Sequence, residues 1–179
     1  MIKLTNPIKV SKLCKNFKAK YYGKDQYIYE FGPLSSTKRN ILSFTNQDLN
    51  FTNKILIQKK RNKSKLNTQI IHKNPRLLFC KILNFFIKKK LIKNSIKKNI
   101  IDKSVDIPQN CIIGNNIKIE KNCIIEAGAK IFSNVKIRKN SIIRSGAVLG
   151  CYGFGYEIDN SKKPINFPQF GSVEIGENV

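Results

Sequence analysis

From Ile101 to Leu149 an aliphatic residue returns at every sixth position, at 101, 107, 113, 119, 125, 131, 137, 143 and 149. The fifth place of each full unit is small or branched: Val105, Cys111, Ile117, Cys123, Ala129, Val135, Ser141 and Ala147. An α-helix cannot carry this pattern, because six of its residues turn through about 600° and would scatter the stripe around the axis. A meander of hairpins would need two-residue alternation and longer strands. Short strands joined by tight corners satisfy the period. The leading aliphatic points into a three-sided prism, and an Asn or Gly takes the corner, where left-handed backbone angles suit those residues. Asn115, Asn116, Asn122, Gly128, Asn134, Asn140 and Gly146 occupy the predicted corners. This is the hexapeptide β-helix repeat, about 18 residues to the coil. It predicts stacking of Ile107 on Ile125 and of Ile113 on Ile131, and unfolding of the segment when Ile119 or Ile125 becomes Asp.

The chain has 179 residues, 41% of them apolar, enough for one ordinary core or a small domain plus a short module. Its formal charge is +23 and unevenly spread. Residues 1–100 carry 24 Lys/Arg against 3 Asp/Glu, whereas 101–179 carry 10 against 8. Two readings of that charge stand: a polyanionic partner, or codon drift toward Lys, Ile and Asn. Cys14, Cys80, Cys111, Cys123 and Cys151 lack the spacing of a zinc site, so no metal is expected, and the scatter reads as reduced thiols. The N-terminus has no uninterrupted apolar core like that of a signal peptide, and no stretch approaches the roughly 20 apolar residues of a membrane span. A soluble, cytoplasmic protein is expected.

Beyond Gly150 the period lapses across 151–172 and returns at Ile175. The interruption holds Gly153, Gly155, Gly171, Pro164 and Pro168 with Tyr152, Phe154, Tyr156, Phe167 and Phe170. Two readings apply: an apolar groove for an acyl chain or pantetheine arm, and a cap on the first stack. The stretch "SGAVLGCYGFGYEIDNSKKPINFPQFGSVEIGENV" resembles the UDP-3-O-acylglucosamine N-acyltransferase family of lipid A biosynthesis. The family's GFGF or GFGY stretch corresponds to Gly153, Phe154, Gly155 and Tyr156. Its PQ-x-G-x-V-x-IG run corresponds to Pro168, Gln169, Gly171, Val173, Ile175 and Gly176.

The resemblance continues upstream. "GPLSSTKRNILSFTN" (32–46) is similar to the family's uracil-binding module, which assigns Phe44 as a stacking platform and Asn46 as a uracil hydrogen-bond partner. One residue rather than two separates them, and Leu49 stands where the family often has a second aromatic. Phe44 also reads as a core residue. "IIHKNPRLLFCKILNFF" (70–86) is similar to the strand, Asn-Pro turn and helix that lead into the repeats, and its own three-four spacing predicts a helix. The cationic tract from Lys88 to Lys98 leaves three readings open: a solvated helix face, a docking patch for acidic acyl carrier protein, or an anionic membrane or RNA surface. No Trp and no helix-turn-helix, finger or RNP pattern is present, so no specific nucleic acid is expected.

The expected fold is therefore mainly β: a left-handed parallel β-helix over 101–179, incomplete and with a loop insertion, preceded by a small α/β uridine-binding module over 1–100. The resemblance implies transfer of a 3-hydroxyacyl chain from acyl carrier protein, through its phosphopantetheine, to the 2-amine of UDP-3-O-acylglucosamine. It implies no tightly bound cofactor and a homotrimer. It also implies a general-base histidine on the β-helix. The one histidine here is His72, outside the repeats, so the catalytic residue is expected beyond Val179. The sequence stops within a hexad series, which reads as a fragment or a truncated gene product, inactive as it stands. The alternatives are a nucleotide-sugar acetyltransferase using acetyl-CoA, and a non-catalytic remnant.

Overall fold

The computed structural model describes residues 1–47, 54–63, 67–93 and 96–179. It divides into two compact units. One comprises Met1–Lys93 with Phe154–Pro168, the other Asn94–Gly153 with Gln169–Val179. Residues 154–168, counted with the repeats in the sequence reading, thus belong with the N-terminal unit.

Among the described residues the N-terminal unit holds a six-stranded sheet, two helices and a separate two-stranded hairpin. In chain order it runs β1 (Ile2–Lys9), α1 (Val10–Asn16), β2 (Lys20–Tyr22), β3 (Tyr27–Phe31), β4 (Ile41–Phe44), β5 (Ile55–Gln58), β6 (Thr68–Ile71) and α2 (Pro75–Lys88). The strand order is β1-β3-β4-β5-β6-β2. The central pairs are parallel, and β1 and β2 close the two edges antiparallel. Central strands of such a sheet read as unbroken apolar runs, as in β5, whose Ile55, Leu56 and Ile57 are all fully buried. Asn74 caps α2 by accepting the Leu77 N–H at 3.0 Å, and Pro75 takes the first helical position, where no N–H is needed. Leu78, Ile82 and Phe86, one stripe of the helix, pack with Phe31, Ile55 and Ile57 of the sheet.

The repeat unit carries β7 (Ile100–Ile101), β8 (Ile112–Ile113), β9 (Lys118–Ile119), β10 (Ile124–Ile125), β11 (Lys130–Ile131), β12 (Val135–Ile137), β13 (Ile142–Ile143) and β14 (Val148–Leu149). The antiparallel pair β15 (Tyr156–Ile158) and β16 (Pro164–Asn166) lies in the N-terminal unit, and β17 (Val173–Ile175) returns to the repeats. All pairings within the repeats are parallel and form three walls: β8-β11-β14, β7-β9-β12-β17 and β10-β13. Ile113, Ile131 and Leu149 stand in one register and Ile101, Ile119, Ile137 and Ile175 in another. Each successive coil bonds through one repeated rule. The residue after a leading aliphatic donates its N–H to the leading carbonyl of the next coil, as Gly114 to Ile131 (2.8 Å), Glu120 to Ile137 (2.9 Å) and Glu126 to Ile143 (2.9 Å).

Inside the prism Ile119, Ile125, Ile131, Ile137 and Ile143 are buried. The fifth places complete the layers with Val105, Ile117, Cys123, Ala129 and Val135. Ser141 is the polar member, and its hydroxyl donates to Gly176 O at 2.8 Å, so its burial leaves nothing unsatisfied. The corner falls three places after each leading residue. Asn116, Gly128 and Asn140, for example, take φ of 58°, 78° and 59°, and Asn178 continues the rule at 57°. Asn115 does not turn the chain, because only one residue per corner needs the left-handed region. The corner asparagines also bond along the stack, Asn116 Nδ2 to Asn134 Oδ1 at 3.0 Å and Asn140 Nδ2 to Asn178 Oδ1 at 3.1 Å.

At Ile107 the predicted column keeps its aliphatic residue but lacks the strand pairing with the coil of Ile125. Ile107 is half-buried against the core, but no strand exists there. The residue that should donate to the Ile125 carbonyl is Pro108, which has no N–H. After Leu149 the stack resumes across a gap: Ile137 pairs with Ile175, 38 positions on, where Ile119 to Ile137 is 18.

Candidate functional site

On the N-terminal unit, Phe44 closes β4 with its ring half-buried. Its centroid lies 5.1 Å from that of Phe79 on α2 and 6.2 Å from that of Phe167, just after β16. The Arg76 guanidinium sits over Phe167, 5.0 Å from the ring centroid, and forms an ion pair with Glu157 of β15. That carboxylate is 10% exposed, so its arginine partner is what makes the burial tolerable. Asn84 ties the same hairpin to α2, donating from Nδ2 to Asn166 O at 2.8 Å. Beyond Phe44 the chain turns through Thr45, whose Oγ1 accepts the Gln47 N–H at 3.1 Å, and leaves Asn46 exposed. Phe44 thus stands in an aromatic cluster and Asn46 on the turn that follows it. Leu49 lies outside the described residues.

Phe79 and Phe167 stand against Phe44, Arg76 joins them over the Phe167 ring and Glu157 joins through Arg76. Of these four only Phe167 is marked by the sequence, as one of the loop aromatics. Glu157 is 81 positions from Arg76, and no local pattern links them. For Phe79 the periodicity of α2 is the available signal, since it follows Leu78 of the helix's buried stripe.

The loop residues that the resemblance offers for the acyl or pantetheine arm, Gly153, Phe154, Gly155, Tyr156, Pro168 and Gln169, divide between the units. Gly153 and Gln169 belong with the repeats, and Phe154, Gly155, Tyr156 and Pro168 with the N-terminal unit. Phe154 is 98% exposed. Gly155 O accepts the Phe167 N–H at 2.7 Å, and Tyr156 lies exposed on β15. On the repeat unit a cleft of about 350 Å³ opens beside the corner at Asn134, lined by Phe132, Ser133, Cys151, Gln169 and Val173 among others.

His72 is half-buried in the N-terminal unit, its Nδ1 2.7 Å from Asn74 O and 3.1 Å from the Asn74 N–H. It is engaged at the α2 cap. Burial pushes the Cys14 thiol up to about 12 and raises that of Cys80, the latter with help from Glu157, so neither supplies a thiolate near neutral pH. Among the described residues no three His, Cys, Asp or Glu side chains gather to hold a metal ion, and no helix is long and apolar enough to cross a membrane.

With three parallel walls and a corner every six residues in place, the comparison with known families is specific to one segment. Residues 116–151 match the bacterial transferase hexapeptide family, over six repeats. The matched hexapeptides run from the Asn116 corner through β14, and the match bears on the stack alone. No curated protein matches the chain. The mainly β stack described above is the form that this hexapeptide repeat takes here. Hexapeptides supply a rigid wall, on which side chains from neighbouring coils stand at fixed spacing.

Proposed function

We propose that the chain serves acyl transfer to a nucleotide-sugar amine, moving a 3-hydroxyacyl group from acyl carrier protein to the 2-amine of UDP-3-O-acylglucosamine. The observation that carries this reading is the interruption of a hexapeptide stack by a hairpin. That hairpin brings Phe167 against Phe44, the residue assigned by resemblance to the uracil ring. In this reading Phe44 offers a ring for stacking within the Phe79 and Phe167 cluster, and the exposed Asn46 amide supplies both a donor and an acceptor to uracil. The cleft beside Gln169 and Cys151 is the proposed seat of the phosphopantetheine arm, with Gly153 at its margin. The basic tract at Lys88, Lys89 and Lys90, exposed at the C-terminal end of α2, suits the acidic carrier protein. No tightly bound cofactor and no specific nucleic acid enter this reading, and it is set in the cytoplasm.

Homotrimer formation belongs to the same proposal. Ile124 and Ile142 pair in register on the outer surface of one wall, 55% and 36% exposed, while Ile112 and Val148 flank Lys130 on another. Such apolar ladders are suited to burial against neighbouring copies.

The transfer needs a base to take the amine proton, and the single histidine, His72, is committed to the α2 cap. We therefore propose that residues 1–179 bind both substrates without turning them over. Binding of UDP-N-acetylglucosamine and of hydroxyacyl carrier protein, measured by calorimetry, tests this. Binding of the sugar nucleotide should weaken by about tenfold in Asn46→Ala. Saturable binding of acetyl-CoA with none of the carrier protein would favour the acetyltransferase reading, and no binding of either donor would favour a non-catalytic chain. Detectable acyl transfer by residues 1–179 would contradict the missing-base argument.

A further inference from the structure

At the sheet edge formed by β6 and β2 the N-terminal unit has a second cleft, of about 560 Å³, between the Tyr22–Gly23 turn and the segment after β5. Its floor is neutral and fixed. Asn67 and Gln69 are each 2% exposed. The Asn67 Oδ1 accepts the Lys54 N–H at 2.8 Å and the Gln69 Oε1 accepts from Gln58 Nε2 at 2.8 Å. Gly23 holds φ of 100°, and a Cβ there would meet Asn67 O at 2.7 Å, so the turn packs directly on that floor.

The rim is cationic. Arg61 and Lys63 line the cleft with no carboxylate among its described lining residues, and neither takes part in an ion pair among the described residues. The Arg61 guanidinium lies over the Tyr22 ring, 4.6 Å from its centroid. A guanidinium stacked on a ring keeps its in-plane N–H groups free, and they are spaced to meet two oxygens of one oxyanion. A lysine at the same rim brings the local charge to that of a phosphate dianion, where a single carboxylate would leave one cation unmatched.

We propose that this cleft binds a phosphate group, free or as a monoester, with Arg61 making a paired contact to two oxygens, Lys63 supplying the second charge, and Tyr22 holding the guanidinium plane. The site is independent of acyl transfer and of the Phe44 cluster.

The test is titration of the full 1–179 chain with inorganic phosphate, glycerol phosphate and glycerol, followed by calorimetry and by the amide resonances of Tyr22, Gly23 and Arg61. Phosphate and its ester should bind, and glycerol should not. Tighter binding of the ester identifies a phosphomonoester as the natural source, and the reverse identifies free phosphate. Arg61→Ala and Lys63→Gln should each weaken binding by about tenfold or more, as expected for loss of a charge-assisted contact. Tyr22→Phe should bind as the parent does, while Tyr22→Ala should weaken binding, a contrast that a damaged fold would not produce. A parent chain that fails to bind phosphate overturns the proposal. So does an equal loss on Lys12→Ala/Lys15→Ala, two exposed lysines of α1, because the effect would then be net charge.

Discussion

Adjacent isoleucines in β10 provide a sharp test of the prism. Ile125 is 4% exposed and points into the core, while Ile124, its neighbour in the same two-residue strand, is 55% exposed. Truncating either to Ala removes the same three carbons from the same backbone. At about 0.8 kcal/mol per buried methylene, Ile125→Ala forfeits roughly 2.4 kcal/mol of transfer energy, and the residual cavity brings the total to about 3–4 kcal/mol. Ile124→Ala in the monomer should cost under about 1 kcal/mol. Urea unfolding followed by far-UV circular dichroism reads the difference. With a slope near 2 kcal/mol per molar, Ile125→Ala should lower the midpoint by about 1.5–2 M and Ile124→Ala by less than about 0.5 M. Equal shifts for the two variants would refute the inward and outward assignment and the three-sided column with it. If copies of the chain cover Ile124, its cost will grow with protein concentration, whereas that of Ile125 will not.

Removing Arg76 strands a nearly buried carboxylate. Arg76→Ala should destabilise the N-terminal unit by about 1–3 kcal/mol, the lower part of the range because the arginine itself is partly exposed, and adding Glu157→Gln should restore much of the loss. A double variant no better than the single in thermal melting would exclude the ion pair as the cause. Acid should loosen the repeat stack through Glu126 and Glu174. The hydrogen bond from Arg144 holds the Glu126 carboxyl below its ordinary 4.5, and Arg138 followed by Lys136 does the same for Glu174. A carboxyl lowered in the folded state contributes fully above about pH 4.5 and loses that contribution as pH falls through its lower folded value. Stability of Glu126→Gln/Glu174→Gln should therefore fall less steeply than the parent's between about pH 5 and 3, and high salt should narrow the gap. Parallel curves would show that these pairs are inert.

The repeat stack was readable because its information is local. One aliphatic and one corner residue per hexad, as Ile131 and Asn134, specify a wall and a turn with no reference to distant sequence. The exceptions have equally local causes that composition obscures. Pro108 silences one rung of the ladder through a missing N–H, and Asn115 resembles a corner residue but stands one place early. The N-terminal sheet was not readable in this way. Its order, with β2 beside β6 and β1 beside β3, depends on pairings between segments far apart, and nothing in "KYY" at Lys20–Tyr22 names its partner. The hairpin at 154–168 shows the same limit from the other side. Its glycines and aromatics marked an interruption, but Glu157 and Phe167 acquire their meaning only from Arg76, Phe79 and Phe44, reached by folding. Phe44 kept two readings in the sequence because platform and core use the same apolar ring, and only its surroundings distinguish them.

The return of Ile175 to the register of Ile137 makes the intervening excursion a detachable cassette. Pitch and phase of the column are determined by the rungs on either side, and lengthening a loop costs only slowly more closure entropy. The scaffold can therefore exchange what it carries at that position, hairpin for longer arm or short bend, without re-registering a single rung below.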